Sequence, residues 1–173
     1  MKYGIYLSLL VIGVMAGCKD DPEEKTCCAL PAVEAHIGNG HAYAPNVFTP
    51  NADGINDIWS VFTDDSIVLI QSMEVTDKDG KVVFSALNVF PNTPETWWNG
   101  RFNGLLVEGV YEYTIEVRAA NGIAGQMFGE VCNHPCEQGD TPIPGNGCQF
   151  PIQNDAGHYN GNFATLESSD CFE

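Results

Sequence analysis

Six cysteines, four oxygen-bearing side chains on one short loop, two adjacent tryptophans and four histidines are the residues here whose types and spacing suggest chemistry. The chain has seven cysteines, and with Cys18 set apart in the N-terminal segment, Cys27, Cys28, Cys132, Cys136, Cys148 and Cys171 form an even set, which suits three disulfides in an oxidising compartment. Six cysteines admit fifteen pairings, and spacing does not choose among them. Cys27 and Cys28 are adjacent, and bridging them to each other would strain normal disulfide geometry. Each is therefore expected to reach a distant cysteine, stapling the N-terminal segment to the tail. Zinc is the competing reading for Cys132, His134 and Cys136, although Cys-x-His-x-Cys lacks the usual finger spacing. Asn51, Asp53, Asn56 and Asp57 gather around Gly54, and such a group of oxygens suits calcium. The loop is not an EF-hand, because its glycine comes early and Phe62 stands where the bidentate Glu belongs. The alternative is that these side chains cap a tight turn through local hydrogen bonds. Trp97, Trp98 and Phe102 offer flat faces for stacking on a sugar, against the plainer reading that a tryptophan belongs to the core. His36, His41, His134 and His158 read as scattered in loops, without metal-ligand spacing. No HExxH, P-loop, nucleophile elbow or paired-acid arrangement is present, so the sequence predicts a protein that is not an enzyme.

The elements that would carry these groups are strands. Tyr111, Tyr113, Ile115 and Val117 alternate with Glu112, Thr114, Glu116 and Arg118, a period of two that sends one set inward and the other to water. Val47-Phe48-Thr49, Ile58 to Phe62, Ile67 to Thr76, Val82-Val83-Phe84 and Gly125 to Cys132 are further candidate strands. Asp77-Lys78-Asp79-Gly80 and Asn121-Gly122 read as hairpin turns, since Asp, Asn and Gly accept positive φ. Short strands punctuated by turns, with no amphipathic helical period, predict an all-β antiparallel sandwich over residues 43–131. Residues 18–42 read as an acidic tether with few large apolar side chains. Residues 132–173, broken by Gly139, Pro142, Pro144, Gly145 and Gly147, read as an irregular, cysteine-rich extension lying against the sandwich.

Residues 1–17 resemble a lipoprotein signal peptide. Lys2 supplies the positive end, Ile5 to Val14 an apolar run too short to span a bilayer, and Val14-Met15-Ala16-Gly17-Cys18 a lipobox. The resemblance implies a diacylated Cys18 and stable attachment to a membrane. Lys19, Asp20 and Asp21, with Glu23 and Glu24 beyond, are similar to the export signal that sends lipoproteins to the outer face in gliding, type IX-secreting bacteria. The alternative is a solvated acidic tether. Seven basic residues against 23 acidic ones give a net charge of −16, and such a surface excludes nucleic acid as a partner.

Pro45-Asn46-Val47-Phe48-Thr49-Pro50-Asn51, then Asp53-Gly54-Ile55-Asn56-Asp57-Ile58-Trp59, resemble the opening of the gliding-motility-associated C-terminal domain. Gly80-Lys81-Val82-Val83-Phe84, Trp98-Asn99-Gly100, Asn103-Gly104 and Gly109-Val110-Tyr111-Glu112-Tyr113 follow in the family's order. The resemblance spans roughly residues 43 to 131 and implies an immunoglobulin-like β-sandwich serving type IX secretion and surface anchoring. Two departures stand out: a lipobox of its own, and a cysteine-rich segment after the domain. Thr76-Asp77-Lys78-Asp79 also replaces an aromatic, Arg-containing turn. The expected function is that of an outer-membrane surface lipoprotein, a structural or accessory subunit docking on another envelope protein or complex. A module for binding surface glycans or for adhesion, and a type IX cargo or sorting module, are the alternatives.

Overall fold

The computed structural model describes residues 25–136, 142–168 and 171–172. Cys18, Lys19, Asp20 and Asp21 lie outside the described residues. The strands are β1 (Val33–Ile37), β2 (Gly40–Ala44), β3 (Val47–Phe48), β4 (Phe62–Thr63), β5 (Ile67–Thr76) and β6 (Val82–Val89). They continue with β7 (Arg101–Phe102), β8 (Leu105–Leu106), β9 (Gly109–Ala119), β10 (Ala124–Asn133), β11 (Asn154–Asp155) and β12 (His158–Tyr159). The molecule is an all-β sandwich. One sheet has the order β3-β10-β9-β5-β6, the other β1-β2-β4, and β7-β8 and β11-β12 are small separate ribbons. All pairings are antiparallel except β3 with β10, where Val47 and Phe48 lie parallel to Cys132 and Asn133.

Alternation along β9 decides the sandwich. Tyr111, Tyr113, Ile115, Val117 and Ala119 are buried, and the residues between them are exposed. Beside them on the same face lie Ile70, Met73 and Val75 of β5 and Met127 and Val131 of β10, and the same cluster includes Ile37, Ala42 and Ala44 of the smaller sheet. Trp59 and Trp98, both fully buried, exchange backbone hydrogen bonds of 2.8 Å. The Trp98 ring packs on Phe48 and Tyr111 at 5.2 and 5.0 Å, and Trp59 on Tyr113 at 4.8 Å. The Trp59 Nε1–H donates to the Pro45 carbonyl at 2.8 Å, so this indole is buried with its polar group satisfied.

Two sequence expectations need correction. Residues 18–42 are not a tether throughout, because 33–44 fold into the hairpin β1–β2 and complete the second sheet. The segment looks too poor in large side chains for a core, but its small residues suit the space available. β1 crosses Gly125 and Gly129 of β10 so closely that an added Cβ would lie 2.8 Å from Ile37 or 3.0 Å from Val33, and at Gly129 also 2.5 Å from the Tyr113 hydroxyl of β9. The turn at Gly38 has φ +65° and presses on Asn121, which leaves no room for a side chain there. Likewise, Ile58 to Phe62 is not one strand. Trp59 makes a single bridge to Trp98, and regular pairing is confined to β4.

Candidate functional site

Three segments distant in sequence meet beside β3. Cys27 is bonded to Cys132 near the end of β10, Cys28 to Cys148, and Cys136 to Cys171, with Cα–Cα separations of 5.1, 4.9 and 5.4 Å. Around the bridges Val47, Cys132, Cys148 and Phe150 form a second apolar cluster, with Phe150 edge-on to Phe172 at 5.1 Å. The segment before Cys27 is held as well. The Lys25 ammonium sits 2.6 Å from carboxylate oxygens of both Glu112 and Glu130, a directly opposed pair on β9 and β10.

The polar centre of this seam is Asn46, which is buried. Its side-chain amide donates to the carbonyls of Leu30 (2.7 Å) and Gly147 (2.9 Å), and its side-chain oxygen accepts from the Gln149 N–H (2.7 Å). Its own N–H donates to the Gln149 carbonyl, while its carbonyl accepts from the Cys132 N–H. Asn56 acts similarly further along. Its side-chain oxygen accepts from the Ile152 N–H at 3.0 Å, and its amide donates to Thr165 O and Glu167 Oε1 at 3.0 and 2.7 Å. The Thr49 hydroxyl donates to the same Glu167 oxygen at 2.5 Å. Burial pushes the Glu167 carboxyl above the usual range, with Asp53 and Asp57 adding to the rise and the bonds from Thr49 and Asn56 opposing it. The Tyr43 hydroxyl donates to Phe150 O at 3.1 Å, and burial pushes its phenol well above the ordinary value.

The four candidate calcium ligands do not converge. Asp57 spends one oxygen on the Ala52 N–H (2.6 Å) and the other on the Gly54 N–H (2.7 Å). Asn51 and Asp53 accept from the N–H groups of Asp53 and Ile55, and the Asn56 side chain turns away into the seam. The donor set is consumed by the loop's own backbone, which is the turn-capping arrangement. These residues do not fit a calcium ion. Among the described residues no group of three or more His, Cys, Asp or Glu side chains is placed to hold a metal. Zinc at Cys132, His134 and Cys136 is displaced because both cysteines are in bridges. His134 is buried against Phe172 and hydrogen-bonds Glu108 through Nδ1 at 3.1 Å.

The sugar platform does not assemble either. Trp98 belongs to the core, Phe102 lies under the Lys81 ammonium at 4.3 Å, and only Trp97 presents a free face. The histidines, by contrast, are less scattered than the sequence suggests. His36 and His41 are cross-strand neighbours with stacked rings 4.4 Å apart, and His158 of β12 lies 4.0 Å from His41. No local signal in the sequence marks Asn46 as a hub, since its partners Gly147 and Gln149 lie 101 and 103 residues away.

Residues 42–128, half of the chain, match the model of the CHU_C type IX secretion signal domain. The chain belongs to that family. The match begins inside β2 and ends inside β10, so it covers most of the sandwich but neither β1, nor the last residues of β10, nor the extension. All six bridged cysteines fall outside it. The CHU_C domain marks the chain as a secreted or cell-surface protein with a role connected to type IX secretion. No curated protein matches the chain.

Proposed function

We propose that this chain is a lipid-anchored protein of the outer-membrane surface, without catalytic activity, that serves as a structural or accessory subunit docking on another envelope protein. The observation that supports this most is the attachment of residues 25–28 to the sandwich through Lys25 and Cys27–Cys132, and to the extension through Cys28–Cys148. Six residues separate Cys18 from Lys25, a span of seven Cα steps, so a lipid on Cys18 would hold Lys25 within about 25 Å of the membrane surface. A short connection suits a subunit that must present one face to a neighbour. A domain swinging on a long tether would suit an adhesin better. CHU_C membership favours a second reading, in which the sandwich is a type IX cargo or sorting module. Membrane fractionation of Cys18→Ala cells separates anchoring from secretion. Release of the variant into the soluble fraction, with wild type staying in the outer membrane and co-purifying with a partner in fixed ratio, supports the first reading. Wild type found only in the medium would sink it.

A further inference from the structure

Four buried polar side chains of the sandwich, Tyr43, Asn46, Thr49 and Asn56, are covered by the extension, and the way they are used points to an exchangeable contact. Their partners in the extension are Gly147 O, the N–H and carbonyl of Gln149, Phe150 O, Ile152 N–H, Thr165 O and the Glu167 carboxylate. Every one of these except Glu167 is a main-chain group. Asn46 works like a neighbouring strand, since its backbone and side-chain amides together pair with both the N–H and the carbonyl of Gln149. Recognition through main-chain groups is indifferent to most side chains, and it is how a sheet edge takes up an extended peptide. Side-chain choice enters where Phe150 fills the pocket beside Val47 and Phe172, where Glu167 meets Thr49 and Asn56, where the Gln149 side-chain oxygen accepts from the Ala32 N–H, and where Tyr159 and His158 pack on Tyr43 and His41.

We propose that Tyr43, Asn46, Thr49 and Asn56 form a docking strip for a polypeptide segment that runs extended to an aromatic anchor and then turns, and that residues 147–167, with their turn at Pro151–Gln153 and the β11–β12 hairpin, occupy it in cis. The extension is then an internal ligand that keeps the strip shut. Cys28–Cys148 and Cys136–Cys171 fasten this internal ligand at both ends. The tethered copy has an effective concentration that no free peptide matches. The inference goes beyond the anchoring reading and does not depend on it.

The test is fluorescence anisotropy with a labelled synthetic peptide covering residues 145–153 and carrying the Cys148→Ser change. The full chain with its bridges intact should not bind it. A full-chain variant with Cys28, Cys136, Cys148 and Cys171 all changed to Ser, and with Phe150→Ala and Glu167→Ala added so that the still-tethered extension competes weakly, should bind it saturably. Adding Asn46→Ala to that variant should weaken binding at least tenfold. Equal binding to the intact chain, or no binding to the first variant when it keeps its β-sheet circular dichroism, overturns the proposal. Should the first variant not fold, native-state hydrogen exchange on the unmodified protein decides. Exchange of the Ile152 amide through openings that leave β9 protected supports an exchangeable contact, whereas exchange only together with β9 overturns it.

Discussion

The sandwich and the extension are held by different physics. Within residues 33–133 the stabilising term is burial: Ile70, Met73, Val75, Trp59, Trp98 and the inward side of β9 leave water together. Within residues 142–172 the buried cluster is small, and order comes from two disulfides and from side chains of the sandwich that bind extension backbone. A segment with little apolar surface cannot offset its own ordering entropy and must take its geometry from a neighbour. The sandwich therefore stands without the extension's contacts, while the extension has no shape without the sandwich.

The bridges test that contrast most severely. Cys27–Cys132 and Cys28–Cys148 run side by side, so either one alone keeps the long loop of 105 or 120 residues closed. With the first in place, the second closes only about 17 further residues of unfolded chain, for about 3 kcal/mol in the chain-entropy account. Removing either pair by Cys→Ser should therefore cost about 3 kcal/mol, but removing both about 8 kcal/mol, more than the sum. Urea titrations of the three variants measure this. A double loss no larger than the sum of the single losses would mean that the bridges do not share one loop.

Trp98→Ala comes next and strikes the other side of the comparison. Its ring is buried against Phe48 and Tyr111, and truncation should cost about 3–5 kcal/mol. The unfolding midpoint should fall for the whole molecule, extension included. Loss of extension protection alone would break the claimed dependence.

What could be read from the sequence follows the same division. β5 spans Ile67–Thr76, as its apolar, β-branched run predicts, and β9 alternates inside and outside, as its period of two predicts, because burial on one face writes itself into local spacing. The Asp77–Gly80 turn is likewise where its residues place it, with the Asp77 carboxylate accepting from the N–H groups of Asp79 and Lys81. β1 was not legible, since it is only five residues long and the room that its Val33 and Ile37 fill is made by Gly129 and Gly125 of β10, distant in sequence. The loop of Asn51, Asp53 and Asp57 reads equally as calcium ligands or as turn caps. Only the direction of each side chain decides, and that is a three-dimensional fact. The seam was least legible, because Asn46 and Asn56 act on main-chain groups about 100 residues away and leave no pattern in their own neighbourhoods.

Asn46→Ala sharpens the division at the seam itself. It leaves Leu30 O, Gly147 O and the Gln149 N–H without this partner, and the cost should be about 1–3 kcal/mol. Hydrogen exchange should rise first at Gln149 and Ile152 while β9 and β10 keep their protection. Uniform loss across the molecule would show that Asn46 belongs energetically to the sandwich.

Lys25→Ala is the smallest effect and concerns the segment leading toward Cys18. Glu112 and Glu130 face each other across β9 and β10, an unfavourable like-charge pair on its own, and the ammonium between them turns repulsion into a three-charge network. Lys25 is partly exposed, so solvent screens the gain, and the variant should lose only about 0.2–1 kcal/mol. The hydrogen bonds to Glu112 and Glu130 raise the Lys25 pKa above its ordinary 10.5. A pKa raised on folding means that the folded state holds the proton more tightly. The contribution is therefore complete below the unfolded value and fades as pH rises through the folded one. Wild type and variant should accordingly differ in stability at pH 7 and converge well above pH 10.5. At neutral pH, 1 M NaCl should narrow the difference as well, because the charges are near the surface. A difference insensitive to both salt and alkaline pH would mean that Lys25 acts through the packing of its methylene stem rather than through its charge.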